Sequence, residues 1–129
     1  MKPETLSLQP VDVDTCEIRA LLMRLGIAMN YKGFNLCTYT VHLVTQEPDR
    51  MLFVSKWLYP DVAKRFDTTW RDVERNIRTA AKIAWESNPD LVRELAGYQL
   101  TGKPKASQFI SMIAFRFLNV PLIPRDSGT

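Results

Sequence analysis

Arg71, Arg75, Arg78 and Lys82 recur at spacings of four, three and four. At about 100° per residue, that spacing sets four cations along one side of a helix. Val73, Ile77, Ala80 and Ala84 share the same spacing on nearly the opposite side, so one face buries and the other presents charge. An arginine fork donates two hydrogen bonds to guanine O6 and N7, and a glutamate accepts one from cytosine N4. Each good pairing is worth about 1–3 kcal/mol of base discrimination. Glu74, Arg75 and Arg78 fall in the first three turns, the part of a recognition helix that reaches base edges, and are the candidate base contacts. Arg71 and Lys82 are more peripheral and suit phosphates. Thr68 and Thr69, with the unpartnered amides of the helix start, could also hold a phosphate. The plainer account is a solvated face of an ordinary amphipathic helix. Two features favour DNA: only Asp72 and Glu74 accompany the stripe as acids, and the helix follows a short helix and a tight turn.

The elements that must hold this helix also read as helical. Ile18, Leu21, Leu22 and Leu25 form one apolar face, closed by Gly26. Phe34, Cys37, Val41 and Val44 form the face of a second helix, over about 34–46, which Pro48 stops. An apolar segment from Met51 to Leu58 is expected to end before Pro60, because the residue preceding a proline is pushed out of the α region. Pro60 then suits the start of a brief helix reaching about Phe66, with Asp67 and Thr68 as a tight turn. Thr69 followed by Asp72 resembles a capping box at the head of the basic helix, which can run to about Trp85. Two helices joined by so short a turn suggest helix-turn-helix. Leu91 to Leu95 form a short amphipathic piece ending at Gly97, and Ala106, Phe109, Ile110, Ile113 and Phe117 define a last helix. The expected fold is all-α: a compact bundle of about six to seven helices over residues 15–119, with tails at 1–14 and 120–129.

The chain has 129 residues, 46% hydrophobic and 24% charged, which suits one globular domain with one core. Its net charge of +3 permits nucleic acid without requiring it. The N-terminus has no apolar export segment and no eighteen apolar residues run together, so a cytoplasmic protein that does not enter the membrane is expected. Cys16 and Cys37 are too few for a disulfide framework and read as small buried thiols. With His42 the only histidine, no metal site of the usual type can be assembled, and no cofactor is expected. His42 reads as an interfacial or surface residue. Gly97, Gly102 and Lys103 imitate a phosphate loop, but Pro104 replaces the Ser or Thr that would bind magnesium and no strand precedes. An enzyme is not expected. Trp57, Trp85, Phe109 and Phe117 fall in apolar patterns and are expected in the core. Trp70 lies near the buried stripe of its helix and is expected to pack rather than to contact a ligand.

Three runs carry a family resemblance: IRALLMRLGI from Ile18, YPDVAKRFDTT from Tyr59 and VERNIRTAAKIAW from Val73. In this order they resemble the C-terminal DNA-binding domain of the master response regulator of sporulation initiation in endospore-forming bacteria, over Ile18 to about Phe117. The resemblance implies an all-α effector domain that regulates transcription by binding a TGTCGAA-type box, often in tandem copies. It also implies that Glu74, Arg75 and Arg78 face the bases. The family places a phosphoacceptor receiver domain in front, whereas only a short stretch precedes Ile18, so phosphorylation control through this chain is not expected. Trp70, Asp72 and Asn76 stand where the family tends to carry small or basic residues, and Asp72 would repel a nearby phosphate.

The expected partner is double-stranded DNA. The segment through Gly97 and Tyr98 resembles the region by which the family contacts the RNA polymerase sigma subunit, with Ala96 where a large aromatic is expected. Phe109, Ile113 and Phe117 could contribute to a head-to-tail dimer on tandem sites, although core packing is the simpler account. The alternative function is a helical interaction protein that binds a protein partner, the regulator or polymerase, instead of DNA.

Overall fold

The structure is a computed structural model that describes residues 14–118. The tails expected at 1–14 and 120–129 lie, apart from Asp14, outside the described residues. Within them are six α-helices and no strand: α1 (Thr15–Arg24), α2 (Lys32–Gln46), α3 (Tyr59–Arg65), α4 (Trp70–Ser87), α5 (Pro89–Ala96) and α6 (Ala106–Leu118). A 3-10 turn at Pro48–Leu52 and a π turn at Val54–Leu58 link α2 to α3. The expected all-α bundle is therefore observed.

Helix α1 starts on Asp14, whose side chain accepts from Cys16 N at 2.9 Å, and exposes Cys16 rather than burying it. At its other end Ile27 N donates to Leu22 O and Gly26 N to Met23 O, the crossed pair of bonds that closes a helix on a left-handed residue. Gly26 takes φ +93°, and a Cβ there would lie 2.5 Å from Ser87 Cβ. This glycine thus lets the end of α1 touch the end of α4. Asn88 Nδ2 donates to Arg24 O at 2.9 Å beside it.

Helix α2 runs through the middle, against α1, α4 and α6. A single apolar stripe was expected, but Phe34, Leu36, Cys37, Val41 and Val44 are buried together with Thr38, Thr40 and Thr45. The threonine hydroxyls make this possible by donating to the backbone oxygens of Phe34, Leu36 and His42 one turn earlier. Burial pushes the Cys37 thiol up to about 12, so it stays protonated.

The break expected before Pro60 does not occur. Tyr59 is helical, at φ −64° and ψ −38°, and the π turn continues into α3. Pro60 sits in the first turn, where its missing N–H costs nothing. The turn before it is of the wider π type, closed by Leu58 N donating to Phe53 O at 3.2 Å. The core closes on Ile18, Leu22 and Leu25 of α1, Val73, Ile77, Ala80, Ala81 and Ala84 of α4, and Phe109, Ile110 and Ile113 of α6. Trp57 and Trp85, expected in that core, are only half-buried, Trp85 against its edge. Each indole face is covered by an arginine, Arg50 at 5.0 Å and Arg93 at 4.8 Å, which a fully enclosed ring would exclude. Phe117 is likewise half-buried, while Phe109 is in the core.

Candidate nucleic-acid interface

Helix α3 ends where Asp67 adopts φ +54°. Thr68 N donates to Ala63 O at 2.9 Å and Asp67 N to Lys64 O at 3.3 Å, so the chain reverses in a compact turn over residues 66–69. Aspartate is among the few non-glycine residues that accept this conformation. Thr69 then caps α4, its Oγ1 accepting from Asp72 N at 3.1 Å. The sequence suggests a reciprocal capping box, but only this half forms. The Asp72 carboxylate is occupied elsewhere.

Val73, Ile77, Ala80 and Ala84 are all fully buried, which fixes the rotation of α4. Arg71, Arg75, Arg78 and Lys82 are consequently all exposed. Arg71 lies over the Trp70 ring at 5.0 Å, and Trp70 is half-buried against the core as expected. Arg78 NH2 is 3.8 Å from Glu74 Oε1, beyond hydrogen-bond length, with both side chains about half exposed. Arg75 is 70% exposed, yet its NH2 donates to Asp72 Oδ1 at 2.7 Å. One candidate base contact is nearly free and another is held.

Asp72 is the centre of the site and only 12% exposed. Its Oδ1 accepts from Arg75 and, at 3.2 Å, from Asn76 Nδ2, while Oδ2 accepts from Lys32 Nζ at 2.7 Å and Thr68 Oγ1 at 2.8 Å. Two carboxylate oxygens offer about four lone-pair positions, and here each oxygen has two donors. The bonds from Lys32, Thr68 and Arg75 hold its carboxyl well below the usual carboxylate range. Thr68 has therefore committed both its hydroxyl and its backbone N–H. Thr69 uses its oxygen only as an acceptor and keeps a hydroxyl proton to donate.

Lys32 and Tyr31 belong to the start of α2, forty residues away, and no sequence pattern marked them. Tyr31 Oη donates to Asn76 O at 3.3 Å, so α2 braces the flank of α4 next to Asp72. Gly33 permits the approach: a Cβ there would fall 2.3 Å from the Tyr31 ring and 3.0 Å from Asn76 O. Near Glu74 and Arg78 lies Tyr59, whose buried hydroxyl has no hydrogen-bond partner. Burial, and then the charge of Glu74, push its ionisation upward, so it remains a neutral phenol. His42 is half-buried, and its Nδ1 is enclosed without a hydrogen-bond partner.

A helix bundle in which a short helix, a four-residue turn and a longer helix present a row of exposed cations belongs to the helix-turn-helix class of DNA-binding regulatory domains. A family model described as the sporulation initiation factor Spo0A C terminal matches residues 18–117. The chain belongs to that family, whose members are DNA-binding domains of sporulation control rather than enzymes. Among the described residues no helix is long and apolar enough to cross a membrane.

Proposed function

We propose that this protein is a sequence-specific transcriptional regulator that sets α4 into the major groove of a TGTCGAA-type box. The observation that carries the reading is the rotation of α4: its buried stripe leaves Arg71, Arg75, Arg78 and Lys82 on one open face. Arg78 and Arg75 supply forks for guanine, and Glu74 supplies an acceptor for cytosine. Arg71, Lys82 and Thr69 are the candidate phosphate contacts, joined by the amides of Trp70 and Arg71 in the first turn. Thr68 joins them only if it leaves Asp72. Such a reader works beside chromosomal DNA in the cytoplasm.

A contact with the polymerase sigma subunit would fall at the open groove of about 370 Å³ between the end of α5 and α6, beside Tyr98, and there Ala96 takes the place of a large aromatic. A head-to-tail dimer receives less support, because Phe109 and Ile113 are spent in the core. Fluorescence anisotropy with a box-bearing duplex and a scrambled duplex, each at two salt concentrations, tests the reading. Box-preferring binding is expected. Equal, steeply salt-dependent binding would leave only the electrostatic contribution, and no binding at low salt would favour a protein partner.

A further inference from the structure

We propose that Asp72 is a built-in counter-anion that draws, through the donors of Lys32, Thr68, Arg75 and Asn76, on the solvent-facing cations a DNA phosphate would otherwise meet beside the first turn of α4. This rests on the DNA reading for its role and on geometry for its existence. An ammonium, a hydroxyl, a guanidinium and an amide converging within 2.7–3.2 Å of one carboxylate form a donor set that also suits a phosphate. The set is assembled from three parts of the chain: the start of α2, the turn and α4. Asp72 is 12% exposed, whereas Lys32 and Arg75 are 57% and 70% exposed. The anion is thus seated inward and its cations face solvent.

Two consequences follow for recognition. The single charge of Asp72 offsets part of the two charges of Lys32 and Arg75, so this end of the face grips a duplex less strongly regardless of sequence. Arg75 is also held at one end of its fork, which limits its rotamers and aims it at base edges rather than at the nearest phosphate. Asp72 is therefore a positioning residue that exchanges affinity for discrimination.

The test uses the whole chain and its Asp72→Asn variant, with anisotropy on box-bearing and scrambled duplexes across a salt series. Melting with and without inorganic phosphate supplies a readout that needs no DNA. With the anion removed, affinity for the scrambled duplex rises roughly three- to tenfold. The slope of log K against log salt steepens by about 0.9 for each phosphate gained. Discrimination between the duplexes falls, and phosphate raises the melting temperature of the variant but not of the parent. Adding Lys32→Ala to the variant cancels much of the gain. Asp72→Glu, which keeps the charge, keeps scrambled-duplex affinity low while reducing discrimination, and serves if Asp72→Asn does not fold. A folded Asp72→Asn protein with unchanged scrambled-duplex affinity and slope overturns the proposal, as does one that weakens on both duplexes in proportion. If neither parent nor variant binds any duplex, the DNA reading fails and the phosphate melts decide: a shift confined to the variant upholds the anion site, and none overturns it.

Discussion

Arg78 and Arg75 have similar sequence surroundings but unequal freedom, and alanine at each should separate them. Arg78 is 54% exposed and its nearest carboxylate is 3.8 Å away. An exposed i,i+4 pair of this kind is worth about 0.2–0.5 kcal/mol, so releasing it to DNA costs little. If Arg78 reads a guanine, Arg78→Ala should lose most of the roughly 1–3 kcal/mol of a bidentate contact. That loss corresponds to a fall of about 5- to 150-fold in affinity for the correct box. The fall should be confined to one or two base pairs. Arg75 must first share or leave a 2.7 Å bond to Asp72, so Arg75→Ala should lose less, toward the lower end of the same range. Neither change touches the core, and folding stability should stay within about 0.5 kcal/mol. The assay is anisotropy at fixed salt against duplexes with single base-pair changes, with melting curves as control. Equal loss on every duplex after Arg78→Ala would make it a phosphate contact, and no loss would refute base reading by this face.

Three further expectations concern the scaffold. Gly26→Ala should destabilise by more than about 1 kcal/mol, because φ +93° strains any side chain and the new methyl meets Ser87; an unchanged denaturation midpoint would contradict this. Tyr59→Phe should be neutral or stabilising, by up to about 1–3 kcal/mol, since it removes a buried hydroxyl that has no partner; a lower melting temperature would reveal a bond to an ordered water. The Asp72 carboxyl is held below its unfolded range, so its stabilisation is complete at neutral pH and is lost only as pH falls below the usual carboxylate range of about 4. Urea midpoints measured from pH 7 to pH 3 should fall less steeply for Asp72→Asn than for the parent, and parallel curves would refute the assignment.

The helices were legible because their signals are local. Four apolar residues on α4 with 4-3-4 spacing suffice to set its rotation, and once they are buried the position of every cation follows. The turn was legible for the same reason. The errors arose where a rule of thumb met a neighbouring element. A proline ordinarily marks a boundary, but Tyr59 before Pro60 stays helical behind a π turn, and nothing in the residues Met51 to Leu58 announces that turn. Trp57 and Trp85 fit apolar patterns, yet each is left half-buried with an arginine guanidinium over its ring.

The site itself was half legible. Exposed cations can be counted from a sequence, but whether a cation is available depends on where the acids lie in space. Asp72 looked like a capping residue with the wrong charge for a phosphate neighbour, a description that treats it as a defect of the interface. Its meaning changes once Lys32 arrives from α2, because Gly33 and Tyr31 let that helix lean on Asn76. A carboxylate with Lys32, Thr68, Arg75 and Asn76 around it no longer projects a bare negative charge toward DNA; it sets which of its cations can leave. In a basic helix on DNA, phosphate contacts position and base contacts specify, so the two kinds of cation have different work. On the proposal above, the pair between Lys32 and Asp72, forty residues apart in sequence and 2.7 Å apart in space, is what separates them.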